Sequence, residues 1–396
     1  MYHIKGGREM QVYFEKEKEN MLKLLERIVN IDSGSYQKLG VDKVGDILIH
    51  EFEQLGFIAD VHEVHDKGNN IVLKHKEATN PSILLIGHID TVFPAGTVEK
   101  RLFTIEGDHA KGPGVFDMKA SHVMTLYALK YLISQNNDAY KNVVIIINTD
   151  EEIGSITSRE LIEATAEKVK HVFIMEPADL DGNVVIGRKG GGKFFLKIYG
   201  KSAHSGVAPE KGASAIQELA LKIIPLHELT KWEGIHVNVG LVNGGQSVNT
   251  IAPFAEAGID LRFETQEQGE FAQSKILEIC SFTETPNTRI EISGGITRPA
   301  WKMEENQNEL LKIMKEAASE LNIDLGATYS GGGSDGNFTG NMGIPTIDGL
   351  GPRGGNAHQD DEFMVISSLS ERGQLLVKVL DKINKRKEEE ILLNSN

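Results

Sequence analysis

Apolar residues recur every three or four positions in "NMLKLLERIVNI" (20–31), placing Leu22, Leu25, Ile28 and Val29 on one helix face. The same period predicts helices in "VGDILIHEFEQLG" (44–56), "KASHVMTLYALKYLIS" (119–134) and "ASAIQELALKIIPLHEL" (213–229), with two more near 305–321 and 366–388. Short apolar runs bounded by polar residues predict buried strands: "ILLIG" (83–87), "VVIII" (143–147) and "HVFIM" (171–175). Such strands, alternating with helices, predict an α/β fold whose sheet is largely parallel, with helices on both faces.

The texture changes near Gly182. "VVIGRKGGGKFFLKIYG" (184–200) alternates apolar and polar positions, as a half-exposed antiparallel strand does. The helix at 213–229, the alternating segments "IHVNVGLVNGG" and "FAEAGIDLRFE", and a helix at 268–281 follow. Strand, helix, strand, strand, helix, strand is a ferredoxin-like α+β order. After residue 297 the α/β texture returns. The expected organisation is therefore a domain formed by 1–182 and 297–396, with 183–296 inserted into it. A length of 396 residues suits two domains.

Composition narrows the partners. The formal net charge of -15 argues against nucleic acid and against an anionic membrane surface. No segment has eighteen consecutive apolar residues, so no transmembrane helix is expected. The first twenty residues lack the apolar core of a secretory signal, which predicts a cytoplasmic protein. Cys280 is the only cysteine, which excludes a disulfide framework and a thiolate metal site. Any metal must be held by His, Asp and Glu.

Those residue types gather where predicted strands end. "GHIDTVFP" places His88 and Asp90 two apart, on one face of an extended segment, as an imidazole ligand and its carboxylate partner are often placed. "KGPGVFDMKA" delivers Asp117 just before a helix, where it reads either as an N-cap or as a carboxylate bridging two ions. "NTDEEIGS" puts Asp150, Glu151 and Glu152 side by side after a buried strand. An acidic turn opening the next helix, with Thr157 and Glu160 as a capping box, is one account of it. The other divides the work of a hydrolytic site, one glutamate binding metal and its neighbour taking a proton from water. "IMEP" adds Glu176, and "GGNAHQDDEFM" adds His358 with Asp360 and Asp361 behind it. In open α/β folds ligands bind outside the carboxyl ends of the strands. Two histidines with several carboxylates and no thiolate suit a pair of Zn²⁺ ions, with Co²⁺ or Mn²⁺ as alternatives.

In that order, these motifs resemble the dizinc M20 metallopeptidase family, and within it the glutamate carboxypeptidase branch. The resemblance spans residues 87 to 361, inserted domain included. It implies that Asp117 bridges two metals, that His88 and Glu176 complete one site, and that Glu152 and His358 complete the other. It makes Glu151 the general base and later acid, and Asp90 the group that orients His88. The inserted domain is expected to form a homodimer. Within it "GKSAHSGVAPE" implies that His204 stabilises the oxyanion in the partner's active site. Asn249, Arg262 and Arg298 are implied as substrate contacts, the arginines toward a carboxylate. The substrate expected is a small peptide or N-acyl amino acid, cut beside a free α-carboxylate. Dipeptidase, tripeptidase and deacylase specificities stay open, as does a catalytically silent binding protein. "GRKGGG" (187–192) departs from the branch, leaving Arg188 and Lys189 as specificity determinants or solvated charges. The glycine-rich "GGGSDGN" (331–337) is expected to be a flexible loop lining the cleft.

Overall fold

A computed structural model of the chain describes residues 2–303 and 307–394. It opens with a helix much longer than the expected 20–31, running Tyr2–Val29. Met10, Phe14, Met21, Leu25 and Ile28 are all buried and lie three, four or seven residues apart, so one narrow apolar stripe runs along it between charged residues. Further helices cover Lys38–Glu53, Ala120–Ser134, Gln307–Glu320 and Ile366–Asn394. Residues 305 and 306 of the expected helix at 305–321 lie outside the described residues.

The main sheet has six strands in the order Phe57–His62, Asn70–His75, Val143–Asn148, Ile83–His88, His171–Ile174, Thr346–Ile347. Its centre is parallel, Ile83–His88 pairing with Val143–Asn148 on one side and His171–Ile174 on the other. The sheet is mixed, however. An antiparallel hairpin, Phe57–His62 with Asn70–His75, extends one edge and joins Val143–Asn148 antiparallel. Both faces of the centre are covered. Ile83, Leu85, Ile145 and Ile147 enter a core with the five helices above, while Leu84, Ile86, Val144 and Ile146 face Ile162 and Ala166 of the helix Arg159–Ala166. Two buried faces are why these strands read as continuous apolar runs.

The chain divides into two compact units, one from 1–186, 303–329 and 334–396, the other from 187–302 and 330–333. The second begins later than the expected 183, Val184 and Val185 still being hydrogen-bonded to Gly326 and Asp348 of the first. Within it a four-stranded antiparallel sheet runs Ile235–Gly244, Phe254–Phe263, Gly190–Tyr199, Arg289–Arg298, with helices Ala215–Glu228 and Gln266–Cys280. This is the ferredoxin-like order, with its own core around Phe194, Leu196, Leu219, Leu261 and Ile276. Helix Gln266–Cys280 starts with a full capping box between Thr265 and Gln268.

Candidate metal centre

Three neighbouring parallel strands end together, and the acidic residues follow from that. His88 is the last residue of its strand and sits in register with Asn148, so the turn after Asn148 carries Glu151 and Glu152 to its side. Glu176 comes two residues beyond Ile174, on the other flank. Asp117 arrives on a loop that turns at Gly114, whose φ of 72° favours glycine and whose absent Cβ would lie 2.5 Å from Thr91. His358 sits on the loop between the short strands Gly354–Gly355 and Phe363–Val365.

Asp117 faces both histidines. Its Oδ1 is 3.1 Å from His88 Nε2, and its Oδ2 is 3.1 Å from His358 Nε2. Glu176 Oε1 lies 3.6 Å from His88 Nε2, and Glu152 Oε2 lies 3.2 Å from His358 Nε2. Ligand atoms of His88, Asp117 and Glu152 fall within 4.8 Å of one another, as do those of His88, Glu151 and Glu176. His88 is buried, whereas the His358 side chain is 51% exposed. His88 Nδ1 turns away, 3.0 Å from the carbonyl oxygen of Asp90, which leaves Nε2 aimed at the cluster.

The electrostatics call for cations. Burial raises Glu176 well above the usual carboxylate range, and neighbouring Asp117 adds to it. Burial also raises Glu152, although His358 pulls the other way. Burial would lower His88, but Asp117, Asp90 and Glu176 outweigh it and hold the imidazole well above its ordinary value. Hydrogen bonds to Asp117 and Glu152 lift His358 to about 10. Asp117 is lowered because the two histidines outweigh its burial. Glu152 Oε1 is buried without a hydrogen-bond partner, and an ion on the His358 side would satisfy it. Carboxylates with imidazoles fit a borderline divalent metal.

The pattern of peptidase family M20/M25/M40 matches residues 84–382. The chain belongs to that family. It is 30% identical over 367 residues to carboxypeptidase G2 from a Pseudomonas species, covering 90% of this chain and 87% of that one. An M20 family metallo-carboxypeptidase from Sulfolobus solfataricus superposes with a TM-score of 0.76 at 20% identity, covering 91% of this chain and 98% of the other. A Bacillus subtilis structure described as a dinuclear metal binding M20 peptidase gives 0.63 at 18% identity, covering 93% and 99%. The protein is a metal-dependent hydrolase with the mixed α/β fold of M20 peptidases.

Several contacts that support this M20 centre escaped the sequence reading, and with them Ser35, His122 and Glu362. The fully buried Asp90 carboxylate accepts the Ser35 hydroxyl at 2.6 Å and the backbone N–H groups of Glu151 at 3.2 Å and Glu152 at 3.3 Å. Its Oδ1 is 3.4 Å from His88 Nδ1, farther than its own carbonyl. Asp90 therefore holds the acidic turn as much as the imidazole. Burial pushes His122 down to about 4, so its neutral ring donates Nε2–H to the His88 carbonyl at 2.7 Å. Burial pushes Glu362 up to about 7, with the backbone donors of Asp117, Gly114 and Phe116 pulling the other way. Asp360 pairs with Arg101 at 2.6 Å and Asp361 accepts Asn356 Nδ2 at 2.8 Å, fastening the His358 loop. Only the position of Glu362, four residues after His358, hinted at its part.

Two capping expectations do not hold. Asp117 is not an N-cap: the following helix starts at Ala120, and Asp117 has φ -110° and ψ 95°. Thr157 and Glu160 make no capping box, since helix Arg159–Ala166 begins after Ser158 without a side-chain cap. Asp150 instead accepts the Thr157 N–H at 2.5 Å and the Ser158 hydroxyl at 2.6 Å. The first of the three consecutive carboxylates thus folds the turn and leaves the other two to the centre. The 331–337 loop also differs from expectation. Ser334, Asp335 and Asn337 are buried, and Asp335 bonds Asn148 at 2.7 Å and Ser155, holding both ends of the acidic turn.

The remaining candidates lie in the second unit. Exposed His204 bridges Thr250, and Ser205 N–H donates to the Asn249 carbonyl at 3.0 Å, so the His204 and Asn249 segments run side by side. Arg262 and Arg298 both pair with Gly191 in register, one from each neighbouring strand. Arg298 is buried, while Arg262 makes a two-pronged pair with Asp260 at 2.9 and 3.0 Å. A Cβ on Gly191 would come 3.2 Å from Arg262 Nη1, so this glycine leaves room for the guanidinium. Arg188 donates to Ser330 at 3.2 Å and Gly332 at 3.1 Å, and Lys189 pairs with Glu264 at 3.1 Å. Among the described residues no helix is long and apolar enough to cross a membrane.

Proposed function

We propose that the protein binds two divalent ions, zinc by preference, and hydrolyses an amide or peptide bond beside a free α-carboxylate, releasing a C-terminal glutamate or similar residue. The observation that carries this is the Asp117 carboxylate, whose two oxygens each face one histidine, with Glu176 on the His88 side and Glu152 on the His358 side. His88, Glu176 and Asp117 would hold one ion; Asp117, Glu152 and His358 the other. Bound there, the ions would supply Lewis-acid polarisation of the carbonyl and a lowered water pKa. Glu152 faces His358, and Glu151, its N–H fixed by Asp90, is the base that takes a proton from water and returns it to the leaving amine. His204, from a partner subunit, donates to the developing oxyanion. Asn249, Arg262 and Arg298 receive the substrate, the arginine fork suiting its carboxylate. The carboxypeptidase names of the Pseudomonas and Sulfolobus relatives support the choice of bond.

Zinc-reconstituted protein offered N-acyl-glutamates, other N-acyl amino acids and dipeptides with free amines is expected to release glutamate from the blocked substrates. Activity should vanish on chelation and return with metal. Turnover of free-amine dipeptides alone would overturn the choice of bond. Glu151→Gln should retain two metals and lose about 10²–10⁴-fold in kcat. A metal-loaded variant of near wild-type rate would remove the base from Glu151.

A further inference from the structure

We propose that Glu362 is a positioning residue for the metal centre, locking the Asp117 loop to the His358 loop so that Asp117 can face both histidines. The inference rests on the two-metal reading above. Glu362 follows His358 by four residues and is only 1% exposed. Oε1 accepts the N–H groups of Phe116 at 2.8 Å and Asp117 at 3.0 Å, and Oε2 accepts that of Gly114 at 2.9 Å. Three main-chain donors from one ligand-bearing loop thus converge on a side chain from another. The strands behind it set the register: Phe363–Val365 pairs antiparallel with His109–Lys111, which leads into the Asp117 loop. The Glu362 N–H donates to the Gln359 carbonyl at 3.2 Å, which folds the His358 loop back on itself. Removing this anchor leaves the backbone N–H of Asp117 without its acceptor and frees the angle at which its carboxylate is presented. Groups behind a ligand matter in this way because they fix its orientation, and their loss costs about 10–100-fold in metal affinity.

Glu362→Gln keeps the volume but sets an amide N–H against at least one of the three donors. The test is Zn²⁺ affinity and stoichiometry, by competition with a chromophoric chelator, alongside thermal unfolding of the metal-free protein. Wild type should bind two ions, and Glu362→Gln should bind them about 10–100-fold more weakly. Glu218→Gln, a buried carboxylate of the second unit, should lower the unfolding temperature without altering metal affinity. If Glu362→Gln behaves like that control, losing stability but binding zinc as wild type does, the proposal is overturned. Should Glu362→Gln fail to fold, Glu362→Asp, one methylene shorter, carries the same test: weaker zinc binding supports the role, unchanged binding overturns it. Wild type that binds no zinc would bring down the metal reading itself; unchanged affinity in the variants brings down only Glu362.

Discussion

Asp90 shows how one side chain serves several groups at once. Its two oxygens receive the Glu151 and Glu152 N–H groups and the Ser35 hydroxyl, while its carbonyl meets His88. Asp90→Asn would preserve size but replace one acceptor by a donor, facing an N–H of the acidic turn. It is expected to lower kcat by about 10–100-fold with both metals still bound. Kinetics beside metal analysis on the purified variant would check this; an unchanged kcat would show that the turn holds its shape without Asp90. At this scale the sequence displays groups whose chemistry is unusual for their place: His88, Asp117, Glu151, Glu152, Glu176 and His358. It hides groups whose work depends on a distant loop. Ser35 lies fifty-five residues from Asp90, and Glu362 more than two hundred from Asp117, so no local spacing betrays them.

At the scale of elements, periodicity finds what is buried on one side and strands buried on both. The helix Lys38–Glu53, buried along one face, and the three central strands are therefore plain in the sequence. Phe57–His62 is mostly exposed, and its apolar residues neither alternate nor make a long run, while the first half of Tyr2–Val29 is hidden among its charges. Helix Ala215–Glu228 hides a further feature, an ion pair at 3.3 Å between fully buried Glu218 and Lys222. Burial would raise Glu218, but the backbone donors of Thr285 and Glu284, with the Thr285 hydroxyl and Lys222, outweigh it and lower its pKa. A carboxyl lowered by folding adds stability that is complete above its unfolded value, about 4.3, and disappears as pH falls through the folded value. Glu218→Gln should therefore cost about 3 kcal/mol near pH 7, and the gap to wild type should close on acidification. Thermal unfolding of both proteins from pH 7 downward measures it. Curves that stay parallel would show that Glu218 contributes nothing through its charge.

For the whole molecule, the decisive feature is that the proposed chemistry is divided between two compact units. The proposed metal ligands and base belong to the first, His204 and Asn249 to the second. If His204 serves the centre of a partner subunit, a dimer lacking Glu151 in one subunit and His204 in the other still contains one intact site. The subunit that keeps Glu151 receives His204 from its neighbour, and the other site is dead. Glu151→Gln and His204→Ala, each alone, should be crippled, the latter by about 10²–10³-fold in kcat with its metals in place. Mixed in equal amounts and allowed to exchange, half of the dimers become hybrids with one working site of two, so activity should recover to about one quarter of wild type. Recovery requires both exchange and action across the subunits, so the hybrid is best confirmed with two distinct tags. If tagged hybrids form and stay as inactive as their parents, His204 acts within its own chain or not at all.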